Sequence, residues 1–294
     1  MKSRVLFLFY LLSSQLINAD IIDVYHCFGN DRRLIVEGRV LDPREFDTTK
    51  KDDGFIKNIW RKLGHLINDE RKNSEILMQI EEQIFHSKTD DEGYFAFDVN
   101  SSAKEIKLTL KDQNSITTKC KPFIPSAAKQ VGIISDFDDT VVISDVTNKL
   151  KLIYQLLFKN YKQRTVIKGM REHFAKILKN SPDKPLFFIT GSPNQLHHVV
   201  VDFLKYHNFP KFTLMTKKIH GNKSYNPFKQ QNYKQEQIEE LISLYPQISW
   251  VLFGDSGEKD EQIYHSIAKK YPDKIKAIYI RNVDSGVVNS VKYR

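Results

Sequence analysis

From residue 126 onward, apolar runs typical of short buried strands alternate with segments of helical periodicity. The strand candidates are residues 131–135, 186–190, 250–253 and 275–280, and the helical patterns lie at 150–158, 170–178, 195–206, 235–244 and 262–268. Such alternation predicts βαβ units, in which helices cover both faces of a parallel sheet. We therefore predict an α/β fold here, with any ligand crevice at the carboxyl ends of the strands.

The chain changes character near residues 121–125, which contain two prolines. Before them, alternating apolar and polar residues predict strands at 34–40, 76–84, 94–99 and 106–110. A small β-sandwich fits this pattern, with a helical segment inserted at 56–67. That segment also carries basic side chains, so it either packs on the sandwich or lies on a membrane surface. We predict a β module over 20–125 and an α/β domain over 126–294.

Residues 1–19 have the pattern of a secretory signal peptide. Lys2 and Arg4 form a basic start, an apolar stretch covers residues 5–12, and the small residue Ala19 precedes Asp20. The apolar stretch is shorter than the roughly 20 residues that span a bilayer, although an uncleaved anchor is the alternative. We expect a cleaved leader and an exported protein, either periplasmic or secreted.

Two cysteines, Cys27 and Cys120, lie near the two ends of the β module. In an oxidising compartment an even number of cysteines favours a disulfide, and two separate buried thiols are the alternative.

The formal net charge is +9, and the lysines are spread along the chain. A basic surface favours encounters with anionic partners but does not choose among them. Basic residues between 149 and 168 gather near one helical pair, where they either attract an anionic membrane or form a solvated face.

Carboxylates follow the predicted strand 131–135, because residues 136–140 read Asp-Phe-Asp-Asp-Thr. If the chain bends after Asp136, the side chains of Asp136 and Asp138 face one site. One is then placed as a nucleophile and the other as a proton donor. The alternative is an acidic turn that caps the following helix.

Two later strand ends offer complementary groups. Thr190 and Gly191 provide a hydroxyl and a backbone that can approach a phosphate, although such a stretch is also common as a helix N-cap. Asp255 and Asp260 follow the strand at 250–253 and are hard oxygen ligands of the kind that Mg²⁺ requires, or else an acidic helix start. Lys234 precedes a helical pattern and, alone, would be an ordinary surface lysine.

In their order along the chain, these four groups of residues resemble the motifs of the haloacid dehalogenase-like phosphohydrolases. Residues 136–140 resemble the first motif, Thr190 the second, Lys234 the third, and Asp255 with Asp260 the fourth. More narrowly, several stretches are similar to the actin-patch-type phosphatidate phosphatase family and to the β module that precedes its catalytic domain. These stretches are residues 131–140, 190–195, 218–221 and 253–260, together with 36–40 and 89–95.

The resemblance implies a Rossmann-like parallel sheet of the haloacid dehalogenase type with a small or absent cap. It also implies that Asp136 attacks phosphorus to form an aspartyl-phosphate, while Asp138 serves as acid and then as base. The phosphoryl oxygens would be held by Thr190, Gly191, Ser192 and Lys234. The Mg²⁺ ligands would be the carboxylates of Asp136 and Asp255 and the backbone carbonyl of Asp138, with Asp260 in an outer shell.

This sequence departs from the family pattern in two places. Thr190-Gly191 stands where a serine followed by another residue is common, which keeps the hydroxyl. Tyr233 precedes Lys234 where the family often has histidine, so Lys229 and Lys223 compete for the role of third-motif lysine.

The expected function is that of a secreted, Mg²⁺-dependent phosphatase acting on phosphatidate or a related lipid phosphate. We expect peripheral contact with an anionic membrane and no nucleic-acid partner. The alternatives are a phosphatase for a soluble phosphomonoester and a catalytically silent protein that binds a membrane or another partner.

Overall fold

The computed structural model describes residues 20–41, 71–142, 166–218, 229–257 and 259–292. The expected signal peptide, the helical segment at 56–67, the helical pattern at 150–158 and most of the basic cluster at 149–168 lie outside these residues. Within the described ranges, no helix combines the length and the apolar character needed to cross a bilayer.

The described residues form thirteen strands and four α-helices. The strands are β1 (Ile21–Gly29), β2 (Leu34–Leu41), β3 (Glu75–Ile80), β4 (Gln83–Lys88), β5 (Tyr94–Val99), β6 (Ile106–Leu110), β7 (Gln113–Cys120), β8 (Gln130–Ser135), β9 (Leu186–Pro193), β10 (Thr213–Lys217), β11 (Ile248–Asp255), β12 (Ile275–Arg281) and β13 (Val288–Lys292). The helices are α1 (Met170–Ile177), α2 (His197–Tyr206), α3 (Lys229–Leu244) and α4 (Asp260–Lys270).

The β module consists of two antiparallel sheets, ordered β1-β2-β5 and β4-β3-β6-β7. Alternate side chains of both sheets meet in one apolar core, to which Val36 and Phe97 contribute from the first sheet and Met78 and Leu108 from the second. This is the arrangement expected of a small β-sandwich, while its boundaries at 20 and 125 stay a prediction.

The single strand predicted at 76–84 is wrong, because a hairpin occupies this stretch. Ile80 pairs with Gln83, so Glu81 and Glu82 form a two-residue turn between β3 and β4. Glu81 adopts a left-handed backbone conformation with φ 51°. The turn was hidden because two-residue hairpin loops usually carry Gly or Asn, and because a two-residue loop leaves the alternation of apolar and polar residues unbroken.

The strand β1 was not predicted from the sequence. The register with β2 shifts between Val24 and His26, which places an extra residue, Tyr25, in β1. Such a bulge breaks the period of two on which strand prediction depends. His26 is also buried, so polar character does not mark the solvent-facing side of this strand.

The second part of the chain contains a six-stranded sheet with the order β10-β9-β8-β11-β12-β13. Neighbouring strands are parallel except for the last pair, in which β13 runs antiparallel to β12. The α/β prediction is therefore confirmed at this level, although β10 and β13 were not predicted. The chain passes from β8 to one side and returns to β11 on the other, which creates a switch point where open sheets bind ligands.

Helices cover both faces of this sheet. On one face α1 and α2 bury Phe174, Val200 and Phe203 against strand residues such as Ile133 and Val251. On the other face α3 and α4 pack their apolar side chains on the alternate strand positions; these include Ile238, Leu241, Ile263, Ile267, Ile134 and Leu252. Burial of both faces explains why the central strands read as continuous apolar runs.

The β module contributes side chains to the second of these cores. Phe28 is fully buried and meets Phe187 edge-on, with 5.6 Å between ring centroids. Polar contacts surround it: the Asn30 side-chain amide donates to the Leu244 carbonyl at 3.1 Å, and the Arg33 guanidinium pairs with Glu240 at 2.9 Å. The two parts of the chain are therefore packed through a shared apolar interior.

The same interface buries an uncharged histidine at the start of α2. The ring of His197 lies against that of Tyr25, with centroids 4.6 Å apart. Burial lowers the pKa of His197 to about 3. The imidazole is thus neutral at ordinary pH and acts as an aromatic packing group.

The thiols of Cys27 and Cys120 lie beside each other, one on β1 and the other at the end of β7. They share a hydrogen bond, which, together with burial, raises the pKa of Cys27. Both cysteines are reduced in the structure. This contact brings two strands of different sheets together at the two thiols.

We expect oxidised glutathione to convert the purified protein to a Cys27–Cys120 disulfide, with both thiols losing their protons and two electrons passing to glutathione. In the chain-entropy model a loop of this length stabilises the fold by about 4–5 kcal/mol. Denaturant unfolding of the oxidised and reduced forms measures the gain, and Cys120→Ser provides the control. A mass that does not fall by two hydrogens after oxidation contradicts this prediction.

Candidate active site

The predicted nucleophile lies at the switch point of the sheet. Asp136 directly follows β8, and its backbone N–H donates to the carbonyl of Phe253 in β11 at 2.8 Å. Its side chain is 2% exposed, and the nearby Asp138 is 9% exposed. Both carboxylates are therefore withdrawn from bulk water at the carboxyl edge of the two central strands.

The chain bends after Asp136, as the sequence reasoning required. The fully buried side chain of Phe137 packs into the core, and its carbonyl accepts from the N–H of Val141 at 3.0 Å. Asp139 adopts a left-handed conformation with φ 54°. The guanidinium of Arg281, at the end of β12, donates to the Asp139 carbonyl at 2.8 Å and so holds this tight turn in place.

Asp138 is bound by two hydroxyls from the end of β9. Ser192 Oγ donates to Asp138 Oδ2 at 2.9 Å, and Thr190 Oγ1 lies 3.3 Å from the same oxygen. Ser192 is predicted to contact the phosphate, which stays a prediction, and its hydroxyl also orients the predicted acid. Gly191 is exposed, and a methyl group added there would meet no atom within 4 Å, so protein packing does not require glycine at this position.

Lys234 reaches the site from the second turn of α3. Its ammonium donates to Asp136 Oδ1 at 3.0 Å and to Asp260 Oδ1 at 2.5 Å. All three side chains are almost wholly buried. The side chain of the competing Lys229, and the whole of Lys223, lie outside the described residues. The structure thus brings Lys234 to the predicted nucleophile.

Three carboxylates form a cluster at this point. One oxygen from each of Asp136, Asp255 and Asp260 lies within 4.8 Å of the other two. When ionised, these three groups outweigh the single ammonium of Lys234 by two negative charges. Carboxylate oxygens gathered in this way are the donor set that Mg²⁺ prefers. The residues therefore fit a divalent cation, and Asp260 belongs to the same carboxylate cluster, while its place in an outer shell stays a prediction.

Glycine in the fourth motif makes room for this cluster. A methyl group at Gly254 would lie 2.6 Å from both Cβ and Oδ2 of Asp260. At Gly257 it would lie 3.0 Å from Oδ1 of Asp255, which accepts the Gly257 N–H at 2.6 Å. The close approach of backbone to carboxylate fixes the orientation of both acids.

Tyr264 supports the cluster from α4. Its hydroxyl donates to the carbonyl of Phe253 at 3.0 Å. Burial, followed by the negative charge of Asp260, raises the pKa of Tyr264 far above its ordinary value. The phenol therefore stays protonated and serves as a fixed hydrogen-bond donor beneath the site.

Sequence reasoning missed Arg281 and Tyr264. A usable signal existed for Arg281, since it comes directly after the predicted strand 275–280, at the edge where the other site residues lie. Tyr264 offered no such signal, because an aromatic residue on a helix is most often a core residue.

Known proteins share sequence with this part of the chain. The family described as phosphatidate phosphatase APP1, catalytic domain, matches residues 131–282. Phosphatidate phosphatase APP1 of Saccharomyces cerevisiae is 32% identical over 152 residues, which is 51% of this chain and 26% of that protein. An uncharacterised protein of Schizosaccharomyces pombe is 24% identical over 225 residues, covering 71% of this chain and 36% of the other.

The matched segments thus span about a quarter to a third of these relatives' lengths. Among solved structures, the HAD domain of effector protein Lem4 from Legionella pneumophila is similar with a TM-score of 0.33 and 10% identity, covering 53% of this chain and 88% of that one. The family match covers more than half of the present chain, and it includes every residue of the site described above. The chain therefore belongs to the family of the phosphatidate phosphatase APP1 catalytic domain, as its motifs predicted.

Proposed function

We propose that this protein is a Mg²⁺-dependent phosphatase that hydrolyses phosphatidate or a related lipid phosphate through an aspartyl-phosphate. The observation that carries this proposal is the meeting of Asp136, Asp255 and Asp260 with Lys234 at the switch point of the sheet. Asp138, with its two hydroxyl donors, lies on the same loop as Asp136. Nucleophile, acid and cation site are then available to one phosphate group.

The fold that we propose for residues 126–294 is of the haloacid dehalogenase type. Support comes from a parallel sheet with helices on both faces and from the position of the first motif at the end of β8. The second motif lies at the end of β9 and the fourth begins with the last residue of β11, and these two strands flank β8 on its two sides.

In the first step, a carboxylate oxygen of Asp136 attacks phosphorus in line, and the bond from phosphorus to the ester oxygen breaks. Lys234 holds Asp136 Oδ1, which fixes the orientation of the nucleophile. Asp138 gives its proton to the departing alkoxide, so that the alcohol leaves in neutral form. Dividing the displacement into two steps lowers each barrier.

In the second step, a water molecule attacks the aspartyl-phosphate. Asp138, now ionised, takes a proton from this water, and the bond between phosphorus and the Asp136 oxygen breaks. Ser192 Oγ donates to Asp138 and would keep the carboxylate aimed at the site in both steps. Inorganic phosphate leaves and Asp136 is regenerated.

Mg²⁺ would be held by Asp136, Asp255 and Asp260, and when bound it reduces the repulsion between anionic nucleophile and anionic phosphate. Lys234 supplies a second positive charge at the same place. Phosphoryl transfer depends mainly on such positioning and charge stabilisation.

Two features favour a lipid substrate and an exported protein. The budding-yeast relative is named a phosphatidate phosphatase, and the matching family carries the same description. Residues 1–19 have the composition of a secretory leader, which supports a periplasmic or secreted location.

We expect the purified mature protein to release phosphate from phosphatidate in mixed micelles when Mg²⁺ is present, and to stop when a chelator removes the metal. Adding Mg²⁺ back should restore the rate. The comparison is a panel of soluble phosphomonoesters assayed under the same conditions. Release from the soluble compounds alone would refute the lipid assignment, and release that ignores the chelator would refute the metal assignment.

A further inference from the structure

The turn between β12 and β13, residues 282–287, and the first residue of β13 expose two neighbouring apolar side chains. Val287 is 57% exposed and Val288 is 45% exposed. Among the described residues only Ile84 and Tyr206 are comparable large hydrophobic residues at the surface. Single exposed apolar residues are ordinary, so the location of this pair decides whether it matters.

The β12–β13 turn is joined to the loop that carries Asp255. Arg281 is the register partner of Asp255, and its carbonyl accepts the N–H of Ser256 at 2.9 Å. The N–H of Val283 in turn donates to Ser256 Oγ at 3.1 Å. The two exposed valines therefore belong to an element that begins where the carboxylate cluster ends.

The turn is also held in one conformation. The side-chain oxygen of Asn282 accepts the N–H groups of Asp284 and Ser285, each at 2.9 Å. The Asn282 N–H donates to the Val287 carbonyl at 2.7 Å, and its own carbonyl accepts the Gly286 N–H at 2.8 Å. A preorganised turn presents its apolar side chains without paying for ordering on binding.

Charged side chains of both signs lie at the same edge of the sheet. Lys168 and Lys259 are exposed and come just before α1 and α4, helices that begin at the carboxyl ends of the strands. Asp284, in the turn itself, carries one opposing charge. Glu261, exposed in the first turn of α4, carries a second, so the charges of these four side chains cancel and set up no net repulsion against an anionic surface.

We propose that the β12–β13 turn docks the protein on a lipid bilayer that contains anionic phospholipid, with Val287 and Val288 in contact with the acyl chains. This inference rests on the proposed function, because the hydrophobic acyl chains of a lipid phosphate keep it in the bilayer. The headgroup layer is roughly 5–7 Å thick on each side of a bilayer. The β12–β13 turn adjoins the Asp255 loop and carries apolar side chains. Insertion of these side chains would therefore bring the site to the headgroup layer, where the phosphate lies.

The test compares the double variant Val287→Asp/Val288→Asp with wild type on two substrates. One is phosphatidate in phosphatidylcholine vesicles, and the other is a short-chain phosphatidate below its micellar concentration. Moving one valine side chain from water into the bilayer favours the bound state about tenfold. Loss of one or both valines should therefore lower kcat/KM on vesicles roughly tenfold to a hundredfold. The rate on the soluble short-chain substrate should stay unchanged.

The matched control is Ile84→Asp, which places the same charge at an exposed apolar position on β4 in the β module. It should behave like wild type on both substrates. Equal losses for the double variant on vesicles and on the soluble substrate would show a defect in the site and overturn the docking proposal. Undiminished hydrolysis of vesicle phosphatidate by the double variant would overturn it as well.

Flotation with vesicles of phosphatidylcholine and phosphatidylglycerol separates this proposal from the proposed function. These vesicles contain no phosphomonoester, so they report docking whether or not the protein is a phosphatase. Wild type and Ile84→Asp should float with the vesicles, and the double variant should remain below. Equal flotation of all three proteins contradicts docking through the turn, and an absence of hydrolysis on both phosphatidates contradicts only the enzymatic assignment.

Discussion

Asp136→Asn is expected to reduce phosphate release to the background rate, and Asp138→Asn to lower kcat by about 10²–10⁴. The first change removes the attacking carboxylate, whereas the second removes only the group that moves a proton. Both substitutions keep the size of the side chain, so the buried loop around Phe137 should retain its packing. Steady-state assays with phosphatidate and Mg²⁺ measure both effects.

The matched control is Asp273→Asn, an exposed aspartate in the loop before β12, at the opposite edge of the sheet. It should leave the rate unchanged. Acid quenching with phosphatidate that is radiolabelled on its phosphate adds a second readout. The labelled phosphoryl group should remain bound to wild type and be absent from Asp136→Asn. Normal turnover in both site variants, or label retained by Asp136→Asn, would remove the covalent mechanism.

Lys234→Met is expected to lower the free energy of unfolding by about 3–5 kcal/mol in metal-free buffer, because it leaves buried carboxylates without their ammonium partner. Asp136 and Asp260 are both almost fully buried and both accept from Lys234. A divalent cation should take over part of this charge balance, so Mg²⁺ should restore part of the loss. Urea unfolding with chelator and with excess Mg²⁺ gives both quantities.

Lys270→Met serves as the comparison, since Lys270 pairs with Glu239 at 2.6 Å on an exposed face. Surface pairs contribute about 0–1 kcal/mol, so this variant should unfold almost like wild type with or without metal. If Lys234→Met and Lys270→Met lose the same stability, the buried cluster does not depend on Lys234 as proposed. If Mg²⁺ stabilises neither Lys234→Met nor wild type, the cation site is wrong.

The positions of the site residues could be predicted because they follow from the geometry of a parallel sheet. Asp136, Thr190 and Asp255 each come at or near the end of an apolar strand, and parallel strands end at a common edge. The finer contacts could not be predicted. Whether the Ser192 hydroxyl turns toward phosphate or toward Asp138 depends on side-chain torsions that no periodicity records.

Two of the elements missed in the fold have identifiable physical causes. In β1 an inserted residue and buried polar side chains removed the alternation, and at Glu81 the turn lacked the residues that usually mark one. The contact between Phe28 and Phe187 joins positions far apart in sequence, and no local pattern marks either residue as part of an interface between the two parts of the chain. Contacts between residues that are distant in sequence depend on side-chain packing in three dimensions, which local sequence patterns do not record.

The shared interior beneath the sheet makes the candidate active site dependent on the β module, which contributes no side chain to that site. Because Phe28 and Ile35 complete a core otherwise built from α3, α4 and the sheet strands, residues 131–282 do not enclose that core by themselves. A gene fusion that kept only this stretch would expose aromatic surface to solvent. Recombination during evolution would therefore have to transfer the β module together with the α/β domain, or provide other side chains that bury the exposed aromatic residues.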